Sequence, residues 1–485
     1  MRQKHLRFVS LLAAIALATT ACGARLNDQQ VAAARAGATR NAGGTSGDGI
    51  GATQDTTPGD SGSADTVPGS TGNNNTGGGG STATTSASGG GGGSTTNVHA
   101  MPAGGNGGST DVGVSATSIT LGNVSTLTGP VPGLFQGATV GAQAAVAYEN
   151  SVGGLFGRKF KLDARDDQFD TGQNRSQTVD LIGKALGFLG SFSLYDDAAV
   201  NEIKAAGLPD VSHALGNGRL AMPNNFSIQP SASGGPLGPF NYFKGRYPDA
   251  IKFVGSIYAD IPSAAALHQG YKRAAESVGY KFIYERGIGA TETDFTSDVV
   301  RMRDAGVKLV YFTSVDDKTT ARFAKAMKAQ GFKPTAFVVN GSAYDPDVIA
   351  LAGDAADGMF VPSAASMYAG EDASVVPEVA LMDKWVQNVK PGFKPDIFTA
   401  YAWAGGRLLF QAMENVGPKV TRPAITEAIR KIGVFDDFGL FAPSNPGSKA
   451  PASCFIVLKI TGGKFVRFDS PPAAYRCSDG PWFFG

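Results

Sequence analysis

The sequence predicts an α/β fold of two lobes, each a parallel sheet flanked by helices. Three observations carry that expectation. From Ser118 onward, short β-branched or aromatic runs alternate with helical patterns, the order expected of parallel strands joined by right-handed crossovers. The strands are too many for one compact sheet, so two lobes follow, with a ligand crevice between them at the carboxyl ends of the strands. The chain of 485 residues is also only 17% charged with a formal net charge of +1. That balance gives no electrostatic reason to expect nucleic acid or an anionic membrane surface as partner.

Strands are expected at 119–124, 159–164, 187–192, 251–257, 281–285, 307–313, 335–339 and 359–361, and helices at 138–150, 173–186, 264–277, 295–305 and 319–330. Helix 295–305 shows the pattern: Asp294 is placed to cap it, Phe295, Val299 and Met302 share one face, and Gly306 stops it before Val307 opens the next strand. Further helices are expected at 378–389, 398–415 and 421–432. The end differs in kind. Residues 454–460 and 465–468 flank Thr461-Gly462-Gly463-Lys464, a hairpin whose Gly pair supplies the positive φ of a two-residue turn.

The beginning carries an export segment. Arg2, Lys4 and Arg7 precede an apolar run from Phe8 to Ala18 that ends in Thr19-Thr20-Ala21-Cys22-Gly23, the layout of a signal peptide over residues 1–22. At ~1.5 Å per residue the run covers roughly half of a ~30 Å hydrocarbon core, so it does not anchor by spanning. Cys22 after small residues resembles a bacterial lipobox, although Thr19 stands where Leu is usual; lipidation at Cys22 is expected, with a plain secreted chain as the alternative. Residues 23–113 are Gly, Ser, Thr, Ala and Asn with no aromatic between Phe8 and Phe135, which cannot offset its conformational entropy and reads as a disordered linker. With Cys22 lipidated, Cys454 and Cys477 remain. In an oxidising compartment they read as one disulfide, against the alternative of two unrelated buried thiols. Four His and three Cys in the chain leave little material for a zinc site, and no metal or cofactor is expected.

Several stretches are recognisable together. Thr126-Leu127-Thr128-Gly129-Pro130, Asn150-Ser151-Val152-Gly153-Gly154-Leu155-Phe156-Gly157-Arg158, Asp166-Asp167-Gln168, Asp304-Ala305-Gly306-Val307 and Gly353-Asp354-Ala355-Ala356-Asp357-Gly358 resemble, in order, landmarks of type I periplasmic binding proteins of the branched-chain amino-acid (Leu/Ile/Val) branch that serves ABC importers. The resemblance covers about residues 115–470. It implies a clamp with three inter-lobe crossings, near Pro230, Pro362 and Val434. The binding domain would span 114–485, with lobe 1 at about 114–230 plus 363–434 and lobe 2 at about 231–362 plus 435–485.

Carried over position by position, the family's ligand loops fall on Phe135, Ser191, Ser193, Tyr195 and His213 in the first lobe, and on Tyr258, Asp260, Asp316, Asn340 and Tyr344 in the second. The family's acidic ammonium-binding residue falls near Asn340-Gly341, where no carboxylate stands; Asp316 or Asp260 could replace it. Each residue also has a plainer reading: Ser191 and Ser193 as loop ties, Tyr195 as a rim aromatic, Asp316 as an N-cap, Asn340 and Tyr344 as turn and packing residues, Phe135 as a helix cover. His268, mid-helix, reads as a surface residue.

The resemblance implies a monomeric, lipid-anchored, extracytoplasmic protein that captures a small polar solute, an amino acid or related compound, and delivers it to an ABC permease. A sensor passing the signal to another partner is the alternative. An enzyme is disfavoured, since the chain has no Gly-x-Ser-x-Gly elbow, His-Glu-x-x-His helix or Gly-Lys-Ser/Thr loop. If Cys22 is the lipidated residue, Cys22→Ser abolishes incorporation of radiolabelled palmitate in cells and releases the protein from the membrane fraction; unchanged labelling would exclude it.

Overall fold

The computed structural model describes residues 97–230, 234–468 and 474–485. The expected signal peptide, Cys22 and the linker up to residue 96 lie outside them.

In chain order the first lobe carries β1 (Ser118–Ser125), α1 (Gln136–Ser151), β2 (Lys159–Asp166), α2 (Thr171–Ile182), β3 (Gly187–Leu189), α3 (Val200–Ala205), β4 (Asp210–Val211) and α4 (Asn217–Ala221). The second lobe follows with β5 (Gly235–Pro236), α5 (Leu237–Arg246), β6 (Val254–Ala259), α6 (Pro262–Ser277), β7 (Phe282–Ile288), α7 (Thr296–Asp304), β8 (Leu309–Tyr311), α8 (Asp317–Ala329), β9 (Ala336–Val338), α9 (Pro346–Ala352) and β10 (Phe360–Ser363). The chain then returns to lobe 1 for α10 (Pro377–Val389), α11 (Ile397–Val416) and α12 (Arg422–Lys431), and ends in lobe 2 with β11 (Ile456–Thr461), β12 (Lys464–Arg467) and β13 (Trp482–Phe483).

Lobe 1 holds a parallel sheet in the order β2-β1-β3-β4. Lobe 2 holds a seven-stranded sheet, β12-β11-β10-β9-β8-β6-β7, parallel except for the hairpin strands β11 and β12. A small antiparallel pair, β13 with β5, ties the last residues to the start of lobe 2. The hairpin turns at Gly462 (φ 58°) and Gly463 (φ 71°), with Thr461 opposite Lys464. In α7, Phe295, Val299 and Met302 are all buried, and Asp294 accepts a hydrogen bond from the Thr296 N–H at 2.9 Å, capping from one residue further out than a standard N-cap.

Two expectations are corrected. Residues 97–113 are not linker: they wrap lobe 1. The buried Arg158 guanidinium donates to the carbonyls of Asn106, Gly108, Ser115 and Pro418, and the Asn106 amide donates to Ala116 and Phe156 carbonyls at 2.9 and 3.0 Å. Polar ties to backbone replace the apolar burial whose absence suggested disorder. The third crossing is later than Val434, because residues 435–450 stay with lobe 1: Phe441 pairs with Ala365 and Phe435 with Ser444, while the Gln229 amide donates to Ala442 O at 2.7 Å. Helix α5 was not among the expected elements; Gly238 and Pro239 sit in its first turn, where Pro costs no hydrogen bond.

Cys454 and Cys477 form a disulfide. In the chain-entropy model it contributes about 3 kcal/mol.

Helices α1 and α11 form the tightest part of lobe 1. A Cβ on Gly141 would lie 2.2 Å from the carbonyl oxygen of Thr399, and one on Gly406 2.5 Å from the Ala145 Cβ. Only hydrogen at these positions lets the two backbones meet. Gly141→Val should therefore lower stability by at least about 2 kcal/mol, read as a fall in the urea midpoint; an unchanged midpoint would show that the two helices can separate freely.

Candidate functional site

The loops that follow β1, β3 and β4 in lobe 1 and β6, β8 and β9 in lobe 2 converge on one cavity of about 350 Å³. Its walls are mainly apolar: Leu134, Phe135, Phe192 and Phe398 from lobe 1 face Ile261, Leu267 and Val315 from lobe 2. The hinge segments at Gln229–Pro230, Pro362–Ala364 and Ala452–Phe455 complete it, and Trp482 of β13 joins the wall behind them. Hydrogen bonds cross the cleft at Ser263 and at Lys318. The Ser263 hydroxyl donates to Leu194 O at 3.3 Å, and the Lys318 ammonium donates to Pro132 O at 3.1 Å.

The family landmarks hold these loops in place. The Asp166 carboxylate accepts from the N–H groups of Leu127 and Thr128 at 3.0 and 3.2 Å, binding the loop after β1 to the end of β2. Asp167 accepts from Asn174 at 3.1 Å and from the Ser193 hydroxyl.

Of the expected ligand residues, Phe135, His213, Asp316 and Asn340 line the cavity. The others do not, and their contacts explain why. The Ser191 hydroxyl accepts from Val124 N at 3.1 Å, and the Ser193 hydroxyl, occupied by Asp167, also accepts from Tyr195 N at 3.0 Å. Both serines are loop ties. Tyr195 packs edge-on to Phe169. Tyr258 stacks on His268 with centroids 4.2 Å apart, and Asp260 is exposed. Tyr344 is buried between Tyr368 and Phe465 and donates to Glu371 at 2.8 Å. His268 is a further correction: it is fully buried, hydrogen-bonded to Thr313 at 2.8 Å and Glu285 at 3.0 Å.

Within the cavity, Asp316 is committed to capping α8, accepting from Thr319 N at 2.9 Å and Thr319 Oγ1 at 2.6 Å. His213 is sandwiched between Phe192 and Tyr401, whose ring centroids lie 5.3 and 4.3 Å away. Burial pushes its pKa down to about 4, so the ring is neutral at pH 7. The Ser227 hydroxyl donates to Gln229 O at 3.1 Å and is 2.9 Å from His213 Nδ1. With its one proton so used, Ser227 accepts from Nδ1–H, and Nε2 is left as an acceptor.

Sequence reasoning missed Tyr271, Tyr311, Phe398 and Tyr401, all on the wall. A spacing was available: Ala264, Leu267 and Tyr271 recur at i, i+3, i+7, and Phe398 and Tyr401 at i, i+3, at the starts of helices that open onto the cleft.

Charge is one-sided. Asp316 and Asp317 line the cavity, and no Lys or Arg is among its described lining residues. Burial, reinforced by Asp345 and Asp316, pushes Asp317 up to about 6. A carboxyl raised from the ordinary value near 4 costs stability when ionised above pH 6, and the cost disappears as pH falls below 4. Asp317→Asn should melt on the order of 2 °C higher than the parent at pH 8, with the difference shrinking through pH 6 and gone at pH 4. A difference independent of pH would exclude titration of Asp317 as its source.

Residues 118–464 match the family model described as periplasmic binding protein. A Leu/Ile/Val-binding protein homolog 2 from Brucella abortus (strain 2308) is 25% identical over 364 residues, covering 73% of this chain and 95% of the relative. Among solved structures, a fatty acid ABC transporter substrate-binding protein from Thermomonospora curvata superposes with a TM-score of 0.65 at 21% identity, covering 76% of this chain and 94% of the other. A branched chain amino acid ABC transporter from Thermus thermophilus with bound valine gives a TM-score of 0.64 at 20% identity, covering 73% and 96%. With a family match over most of the two-lobed region and a cavity between the lobes at the carboxyl ends of their strands, the chain belongs to the periplasmic binding protein family.

Proposed function

We propose that this protein is the solute-binding component of an ABC importer, exported, anchored through lipid on Cys22, and monomeric. It captures a small molecule between its lobes and presents the closed form to a membrane permease. The observation that carries this reading is the cavity walled by the strand-end loops of both lobes and bridged by Ser263–Leu194 and Lys318–Pro132. A solute there touches both lobes at once, so its contacts are complete only when the clamp is closed, and binding shifts the open–closed equilibrium. The reading requires no catalytic group. The names of the Brucella and Thermomonospora relatives support import as the process and leave the solute class open between amino acids and fatty acids.

Phe135, His213 and Asn340, with Phe192, Phe398 and Tyr401, are the proposed contacts; Asp316 positions the start of α8. The wall favours an apolar solute over an amino-acid zwitterion, because an unpaired carboxylate in a closed cleft is costly and neither Ser191 nor Ser193 lines the cavity.

A solute at 100 times its Kd stabilises the protein by about 2.7 kcal/mol, so a thermal-shift screen of amino acids, sugars, alcohols and fatty acids should yield at least one hit. Small-angle scattering should then show compaction on binding, and Lys318→Ala should weaken that solute two- to fivefold. A screen without any hit at millimolar concentration would overturn the reading.

A further inference from the structure

The cavity is unusual in what its polar groups lack. Tyr401 comes from lobe 1, and Tyr271 and Tyr311 from lobe 2; all three line the cavity. None of their hydroxyls has a hydrogen-bond partner among the described residues, although each ring is firmly packed: Tyr401 on His213 and Phe441, Tyr271 and Tyr311 on Phe240. His213 Nε2 adds an acceptor on the same wall. Further back, the Trp482 Nε1–H is buried without a partner, and so are Ser314 Oγ and Asn340 Oδ1 at the cleft side. The three tyrosines border the cavity without a partner for their hydroxyls among the described residues, so a ligand inside it can pair them.

We infer that the solute is an uncharged, mostly hydrocarbon molecule bearing a hydroxyl function, which the phenols of Tyr271, Tyr311 and Tyr401 and the imidazole of His213 hold at the meeting of the two lobes. The inference rests on the solute-binding reading above and specifies its ligand. The hydrocarbon character follows from the wall, which is mainly apolar around about 350 Å³. Lack of negative charge follows from the absence of Lys and Arg among the described lining residues: a carboxylate would lie unpaired beside Asp316 and Asp317. A hydroxyl is both donor and acceptor, so it gives its proton to His213 Nε2 and accepts from a phenol. A fatty-acid anion can accept from a phenol but has no proton to give His213 Nε2, and an amino-acid zwitterion brings a carboxylate that meets no Lys or Arg among the described lining residues. A cation would approach Asp317, but its hydrated charge would have to pass the same apolar walls.

The test is a set of probes with one tail and different heads. Decan-1-ol, decanoate, decylamine and L-leucine are titrated at pH 8 into the full chain and followed by calorimetry. Decan-1-ol should bind at least tenfold tighter than decanoate or decylamine, and L-leucine should not compete. Tyr401→Phe and Tyr271→Phe, which remove one oxygen each, should each weaken decan-1-ol by about five- to tenfold, with the unliganded melting temperature confirming the fold. Tighter binding of decanoate, decylamine or L-leucine, or decan-1-ol affinity unchanged in both variants, would overturn the inference while leaving solute capture standing. Binding of none of the four, together with no compaction and no hit in the wider screen, would overturn solute capture itself.

Discussion

The near contact of α1 and α11 is the constraint on which lobe 1 and its half of the site depend. With Gly141 against the Thr399 carbonyl and Gly406 against Ala145, the two helices meet without intervening side chains, and their amino-terminal turns arrive together at the cleft. Phe135 precedes α1, while Phe398 and Tyr401 lie in the first turns of α11. Their rings, with Phe192, pack at centroid distances of 4.8 Å (Phe135–Phe192), 4.9 Å (Phe135–Phe398) and 6.3 Å (Phe192–Tyr401). A shift of either helix would pull that aromatic wall apart. The capping box at Asp396 and Thr399 fixes the start of α11 in register with the same contact.

The rest of the lobe is fastened by cations that find backbone oxygen in place of carboxylate. Arg158 gathers carbonyls from the wrapped segment and from Pro418. Arg422 does the same at the opposite edge, donating to the carbonyls of Ile182, Ala185 and Leu186. The guanidinium fork suits this because it offers five donors in a fixed plane. In contrast, Arg219 is buried in a bidentate pair with Asp210, at 2.8 and 2.9 Å, which ties β4 to α4 just before the first crossing.

Much of the fold was legible because it rests on periodicity. The face of α7, the alternation of strand and helix, and the Gly462-Gly463 turn each follow from a local rule. What escaped was decided by partners distant in sequence. Residues 97–113 look structureless because they bury little, yet Asn106 and Thr110 bond to carbonyls 50 and 310 residues away. His268 lies in a helix with polar neighbours, and only Thr313 and Glu285, on other elements, explain its burial. For the site, the resemblance points to loops of which Phe135, His213, Asp316 and Asn340 line the cavity and the other expected residues do not. Ser191 and Ser193 sit in the expected loop with their hydroxyls turned to backbone and Asp167, whereas the phenols came from helix and strand ends that no motif marked.

The Ser263 and Lys318 bonds across the cleft both end on main-chain carbonyls, Leu194 O and Pro132 O, and neither needs a solute. A closed population can therefore exist before anything is captured, and the measured affinity of any solute is its intrinsic affinity scaled by that population. Lys318, which does not line the cavity, lets evolution tune capture by strengthening or loosening the empty clamp while every lining residue stays the same.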